Sequence, residues 1–366
     1  MNLSLKNIKF MKQMMMRKVV YSLIPIVVAG IYFFGWRVLS LLAVVTVFGC
    51  ATEWVFVRKT TQKITEAVFV TCILFTLTLP PSTPYWVAII GIIFGVLFGK
   101  MVFGGFGKNP FNPALVGRAF IYVNFPEFLT LQWTKPIGGV LGGFTSYLGE
   151  TIDTVSSSTP MLIFRATGKE LPLQEVFFGN IAGSIGETSA LLIILAGIYL
   201  MFTKTAAKET IISVIVGFLG ISTVFYFMGL MEVLNPVYGL LSGGILFGAV
   251  FMATDPISSP KTFEGRIFYG LLIGAITVVI RSFALFAGGM MFAILIGNTF
   301  APIIDEVVGE LKGAKKARAA KLASKAESAE KSESTGKAEP VEVSAKDAEA
   351  TVNFEVADAA KEVSHG

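Results

Sequence analysis

The chain has 366 residues, of which 54% are hydrophobic and only 15% are charged, and its mean hydropathy is +0.70. Soluble domains are about 45–50% apolar and about 25% charged, so the composition excludes an ordinary soluble protein and indicates immersion in lipid. The long apolar runs are continuous and do not alternate, which favours spanning helices over a β-barrel.

Ten apolar runs are long enough to predict membrane-spanning helices. They lie approximately at residues 18–35, 38–57, 65–80, 85–104, 113–129, 188–203, 211–230, 238–254, 267–283 and 286–304. The predicted organisation is a cytoplasmic N-terminus (1–17), a first five-helix half (18–129), an extracytoplasmic segment (130–187), a second five-helix half (188–304) and a cytoplasmic, largely disordered tail (305–366).

Lys and Arg residues in short loops set the orientation of a membrane protein. They cluster before the first run, in every second short loop and at the start of the tail, which predicts that both termini are cytoplasmic. Arg37, Arg165 and Arg281 are assigned to the opposite side, together with the whole 130–187 segment. In a bacterium this arrangement corresponds to a multi-pass protein of the cytoplasmic (inner) membrane.

Two proline-rich motifs recur five runs apart. Residues 80–84 and 256–260 both read P-x-S-[ST]-P, and residues 109–113 and 298–302 share a weaker N-x-F-x-P pattern. A five-helix unit repeated once must invert, so the echo predicts two inverted five-helix repeats with interrupted helices near a binding site. Glycines at 91, 95 and 99 predict close helix packing.

The cysteines and the histidine limit the possible electron carriers. Cys50 and Cys72 lie 22 residues apart in apolar runs, and His365 is the penultimate residue. Iron–sulfur clusters need several Cys or His ligands and haem usually needs an axial His, so no metal site is predicted. If the chain carries electrons, an organic cofactor is expected.

Residues 153–160, DTVSSSTP, admit two compatible interpretations. Thr159 followed by Pro160 is typical of a helix N-cap, and local grounds alone favour that interpretation. The same run matches D-x-x-S-x-x-T, with Asp153, Ser156 and Thr159 as a flavinylation motif. In that chemistry the threonine hydroxyl forms a phosphoester with flavin mononucleotide (FMN), and a helix N-terminus favours the attached phosphate.

Several further motifs accompany this run: Gly99-Lys100 with residues 103–105, NPFNPA at 109–114, Gly117-Arg118, GETS at 186–189 and FMATDP at 251–256. With them the chain, over roughly residues 15–305, resembles the NqrB/RnfD family. This family contains the RnfD component of the Rnf-type ion-translocating ferredoxin:NAD oxidoreductase and the related NqrB component of the sodium-translocating NADH:quinone reductase. The short segment before the first run favours the Rnf type.

The resemblance implies a urea-transporter-like, all-α fold and covalent FMN on Thr159, with a noncovalent riboflavin as a possible second cofactor. It implies membership in a translocating oxidoreductase, a translocase that couples electron transfer to Na⁺ or H⁺ movement. The expected partners are other Rnf subunits, including a second flavinylated one, a flavin transferase during maturation, and membrane lipid; no nucleic acid is expected.

Ionisable residues in apolar runs cost at least ~2.5–3.5 kcal/mol to insert, so each is a functional candidate. Arg118 is predicted to contact flavin or phosphate because a guanidinium binds both. Glu187 and Asp255 are hypothesised to lie on the ion path. Glu53 is a further candidate, and Lys100, at the end of its run, is expected to snorkel.

The asparagines of the NPFNPA motif, Asn109 and Asn112, complete the predicted flavin or phosphate contacts. Two other functions remain open from the residues alone. A solute channel or transporter of the same inverted-repeat architecture would leave the 153–160 run as an ordinary cap. A purely structural scaffold would fit the polar tail but not that run.

Overall fold

A computed structural model describes residues 10–58, 63–149, 151–152, 159–230, 233–284 and 288–334. The chain divides into two compact units, Met1–Gly309 and Glu310–Gly366. Within the described residues, five helices are long and apolar enough to cross a membrane. The prediction of a helical, polytopic membrane protein is therefore confirmed, whereas the ten-helix inverted repeat stays a prediction.

The described helices follow the predicted runs, with short helices between them. The first six are α1 (Met14–Phe34), α2 (Arg37–Val57), α3 (Ala67–Leu77), α4 (Tyr85–Val96), α5 (Pro113–Asn124) and α6 (Pro126–Thr130). The next eight are α7 (Pro160–Thr167), α8 (Leu173–Phe178), α9 (Ala190–Phe202), α10 (Lys208–Phe227), α11 (Pro236–Leu241), α12 (Ile245–Phe247), α13 (Phe263–Phe283) and α14 (Gly289–Ser334).

Some predicted runs differ from simple spans. Helix α4 continues as a π-helical turn at Leu97–Met101, and α12 continues as another at Gly248–Met252. The run expected at 238–254 is broken between α11 and α12, where Gly243 has a positive φ of 71°. Interrupted helices are tolerated at membrane depth only where protein or a cavity surrounds them, so this break marks a candidate site.

Three helices share one N-terminal device. Asn112, Thr159 and Asn235 each cap a helix whose next residue is proline. Proline suits this position because its missing N–H would have no partner there. The asparagine oxygens accept from Ala114 N and Val237 N at 3.0 Å. The N-cap predicted at Thr159 is thus confirmed.

Helices α4 and α5 pack through small residues. A Cβ on Gly95 would lie 2.5 Å from the carbonyl oxygen of Pro113, and one on Gly117 would lie 2.5 Å from that of Gly91. A Cβ on Gly99 would meet the Cα of Pro113 at 2.8 Å. The close packing predicted from the glycine spacing is therefore confirmed, and it fixes the position of α5.

Four two-residue strands tie loops together. Strand β1 (Phe10–Met11) pairs in parallel with β2 (Ile64–Thr65), and β3 (Trp133–Thr134) pairs antiparallel with β4 (Thr151–Ile152). Beside the first pair, the Glu66 carboxylate accepts from Gln13 N at 2.7 Å and from Arg17 Nε at 2.9 Å. The N-terminal strand is thereby fastened to the α2–α3 loop.

The start of the predicted tail is helical. Residues of the second unit continue α14 as far as Ser334, and the side chains at 310–324 are exposed. Solvation of this part agrees with the polar composition. The prediction of disorder for the remainder of the tail concerns residues outside the described ranges.

Candidate functional site

Arg118 and Glu187 form an ion pair between α5 and the loop before α9. Arg118 Nη1 lies 2.8 Å from Glu187 Oε1, and both side chains are mostly buried, at 12% and 14% exposure. The close packing of α4 on α5 places Arg118 here. A Cβ on Gly244 would lie 2.5 Å from Glu187 Oε1, so the carboxylate rests directly against the break between α11 and α12.

Arg281, in the last turn of α13, reaches the same break from the other side. It is 6% exposed and donates to the carbonyl oxygens of Gly239 at 3.1 Å and Ser242 at 3.3 Å. Only a glycine fits at 243, because a Cβ there would lie 2.7 Å from Arg281 Nη2. Counting Arg281 among the loop charges is therefore wrong, since unpaired carbonyls of the broken helix hold it inside.

Thr159 presents its hydroxyl at the N-terminus of α7. Its Oγ1 accepts from Leu162 N at 3.5 Å, well beyond the usual 2.7–3.2 Å, and the residue is only half-buried. The cap is therefore weak, and the hydroxyl remains available. On the same helix, Arg165 donates to the carbonyl oxygens of Arg281 and, at 3.0 Å, of Ala284. These bonds fasten α7 to the end of α13.

One large cavity brings these groups together. It has a volume of about 450 Å³, and its lining includes Thr159, Arg118, Glu187, Ser242 and Arg281. This volume lies within the range typical of small-molecule sites, about 300–1,000 Å³. Two guanidinium groups and one carboxylate give the lining a net positive charge, which favours an anionic group such as a phosphate.

Several buried polar atoms of the lining lack a partner in the structure. Among the described residues these include Arg118 Nε, Arg281 Nε and Ser242 Oγ. An unmade hydrogen bond of this kind costs about 1–3 kcal/mol, and more for a charged group. A ligand that offers hydrogen-bond acceptors beside the two guanidinium groups would satisfy them.

A second, much smaller cavity of about 60 Å³ contains the other predicted polar residues. Lys100, Asn109, Asn112 and Asp255 line it, and the buried Asn109 Oδ1 has no partner. Asp255 accepts from Ile257 N at 3.2 Å and Ser258 Oγ at 3.0 Å. It thus holds the turn that follows the second π-helix.

Lys100 does not snorkel. It is 2% exposed, and its Nζ lies 2.9 Å from Glu53 Oε2 and 2.6 Å from Thr65 Oγ1. Glu53, 1% exposed, also accepts from Thr65 N at 3.0 Å. The snorkelling prediction is wrong because an acidic partner on α2 compensates the buried ammonium group.

The two N-x-F-x-P motifs meet near this second cavity. The side-chain amide of Asn298 lies 3.2 Å from Asn112 N and 3.3 Å from Ser258 O, and it also bonds to Tyr269. Pro113 begins α5, whereas Pro302 lies inside α14. The motifs are therefore neighbours in space although they occupy different positions in their helices.

Comparison with known proteins decides the family. The model of the NQR2, RnfD, RnfE family matches residues 7–312, most of the chain. The chain belongs to this family.

Curated relatives of this family include three proteins named as a subunit (NqrB) of the Na(+)-translocating NADH-quinone reductase. The protein of Azotobacter vinelandii is 40% identical over 277 residues, which is 74% of this chain and 66% of the relative. Those of Yersinia pestis (38% over 279 residues; 74% and 66%) and Pseudomonas aeruginosa PAO1 (39% over 265; 70% and 63%) are similar. The chain spans about two thirds of the length of these relatives.

The predicted site residues of this family member fall into two groups. Thr159, Arg118 and Glu187 line the large cavity, whereas Asn109, Asn112 and Asp255 line the small one. Asp153 and Ser156 lie outside the described residues. Sequence reasoning missed Arg281 and Ser242, whose only signal is a Ser-Gly-Gly interruption in an apolar run.

Proposed function

We propose that this chain is the flavin-carrying membrane subunit of an ion-translocating oxidoreductase, with FMN joined to Thr159 through a phosphoester. The observation that carries the proposal is the Thr159 hydroxyl in the wall of the 450 Å³ cavity that Arg118 and Arg281 also line. The family membership supports the same function. Asp153 and Ser156 complete the proposed recognition motif for a flavin transferase.

The residues of the large cavity fit the group. Helix α7 directs its N-terminal N–H groups towards a phosphate on Thr159. Arg118 and Arg281 have unpaired Nε–H donors that would bind acceptor atoms of the flavin, and Ser242 would add another bond. Glu187 holds Arg118 in place through the 2.8 Å ion pair. The bound flavin would supply reversible electron transfer, which no side chain here provides.

The small cavity fits noncovalent riboflavin poorly. A volume of about 60 Å³ is far below that of sites for ligands of this size. The unpaired Asn109 Oδ1 and the carboxylate of Asp255 fit a small polar guest or a cation better. Riboflavin therefore stays a prediction, and Asp255, with Glu187 in the other cavity, is proposed for the ion path.

The type of complex remains open between two forms. The named relatives belong to the quinone reductase, and the family also includes the Rnf component, so both forms fit the chain equally. We expect further subunits of that complex as partners, including a second flavinylated one. The proposal retains two inverted five-helix halves in the inner membrane, both termini in the cytoplasm and the 130–187 segment on the opposite side.

The proposed flavin attachment is tested by fluorescence after denaturing electrophoresis of protein from a flavinylating host. The wild-type band should fluoresce, Thr159→Ala should abolish the fluorescence, and Thr167→Ala should retain it. Thr167 is a suitable control because it lies on the same helix and bonds only locally, to Ile163 O. A fluorescent Thr159→Ala band, or a dark wild-type band, would overturn the proposal. Electron-acceptor preference, ferredoxin–NAD against NADH–quinone, then separates the two complex types.

A further inference from the structure

The segment 137–147 carries exposed apolar side chains on a short loop. Val140 is 96% exposed, Leu141 64% and Phe144 41%. Residues 142–145 form a 3₁₀ turn that holds these side chains on a fixed backbone. Contiguous exposed apolar groups of this kind mark an interaction surface.

Backbone hydrogen bonds fasten the loop to the turn between α1 and α2. Ile137 N donates to Phe33 O at 2.7 Å, Trp36 N to Ser146 O at 3.1 Å, and Arg37 N to the carbonyl oxygen of residue 147 at 2.8 Å. Because both ends of the loop are bound, it lies beside the end of α1 and does not extend freely into water.

Close backbone contacts fix this depth further. A Cβ on Gly143 would lie 2.3 Å from Ile31 O, so the loop touches the last full turn of α1. Gly35, with φ of 93°, approaches Ser146 O so closely that a Cβ would lie 2.6 Å from it. The loop is therefore level with residues 31–36.

The length of α1 places that level at the membrane boundary. Its 21 residues extend about 31 Å at 1.5 Å per residue, close to the ~30 Å hydrocarbon core of a bilayer. Tyr32 and Trp36 at its end are typical of the interfacial aromatic belt. Their polar atoms bond to the loop, Tyr32 Oη to Gly139 O at 3.2 Å and Trp36 Nε1 to Phe144 O at 2.8 Å.

We propose that residues 139–147 form an interfacial lipid anchor, with Val140 and Leu141 inserted at the boundary between head groups and acyl chains. A lipid surface fits better than a protein partner because the loop lies at the depth of the aromatic belt, beside a spanning helix that already faces lipid. The bonds to Tyr32 and Trp36 orient the apolar tip, as in other interfacial elements.

The anchor would also restrain the segment that follows it. The β3–β4 pairing joins residues 133–134 to 151–152 on either side of the loop. The proposal depends on membrane insertion alone and does not rest on the flavin.

The proposal is tested in the full-length chain in nanodiscs, with a single NBD label on Val140→Cys in a Cys50→Ala, Cys72→Ala background. We expect blue-shifted emission, loss of quenching by iodide and strong quenching by lipids with a nitroxide near the head group. The matched control, Lys169→Cys, carries the label on an exposed loop residue and should give the opposite pattern.

A second measurement avoids substitution. A photoactivatable lipid with its reactive group near the head group should label residues 139–147 of the wild-type chain, identified by peptide mass spectrometry. Iodide access without lipid quenching would overturn the proposal, as would shielding that occurs only after partner subunits bind. Absence of lipid cross-links in this segment would do the same.

Discussion

The buried ion pair of Lys100 and Glu53 offers a quantitative test of the packing. Both groups are at most 2% exposed, and Thr65 bonds to both. Removing one partner of such a pair typically costs about 3–5 kcal/mol, because the other charge stays buried without compensation. We therefore expect Glu53→Leu to lose about that much stability, roughly 10²–10³-fold or more in the unfolding equilibrium at 1.4 kcal/mol per tenfold.

The two single variants should differ. Lys100→Met leaves Glu53 with both bonds from Thr65, at 3.0 and 2.8 Å, so its loss should be the smaller. The double variant removes both charges, and it should be more stable than the sum of the single losses predicts, by up to about 3 kcal/mol.

Reversible unfolding in mixed micelles would measure all three variants, with Lys63→Met as the control because Lys63 is exposed. The control should stay within about 0.5 kcal/mol of wild type. Additive single losses, or losses no larger than that of the control, would refute the reasoning that the pair is buried and coupled.

Three further predictions concern the large cavity and the N-terminal strand. Glu187→Gln should weaken the coupling of turnover to Na⁺ or H⁺ in the assembled complex; unchanged coupling removes Glu187 from the ion path. Arg165→Gln should lower the thermal stability of the chain by about 1–3 kcal/mol, because two carbonyl groups at the end of α13 lose their donor; an unchanged unfolding temperature would contradict this. The Glu66 carboxylate has a lowered pKa, chiefly through its hydrogen bond from Arg17 and then that from Gln13 N. Its contribution is therefore present above the ordinary glutamate pKa of about 4.3 and is lost as pH falls through the lower folded value. Amide exchange at residues 10–17, corrected for the intrinsic pH dependence, should rise on acidification and, at pH 7, in Glu66→Gln; equal protection in wild type and variant would show that Glu66 does not hold the strand.

Local features of the fold were predictable from the sequence. The cap at Thr159 follows from Thr-Pro, and the contact of α4 with α5 follows from glycines spaced four residues apart, since both depend on neighbours along the chain. Apolar length likewise predicted the helical membrane body. The break after Leu241 was not predicted, because a Ser-Gly-Gly interruption in an apolar run does not show what surrounds it.

The arrangement of charges was not predictable because the partners are distant in sequence. Lys100 meets Glu53 across 47 residues, and Arg118 meets Glu187 across 69. Position along an apolar run indicated snorkelling for Lys100, whereas the packing of α2 against α4 placed an acid beside it. The same limit applies to Arg281, whose partners are carbonyl groups exposed only by the broken helix.

Peptide mass mapping of the chain isolated from its native membrane tests the central claim most directly. The account predicts that the peptide containing Thr159 carries the mass increment of one phosphoester-linked FMN and that fragmentation places the increment on that residue. An unmodified Thr159 in complex that is active in electron transfer, or a flavin attached elsewhere, would contradict it.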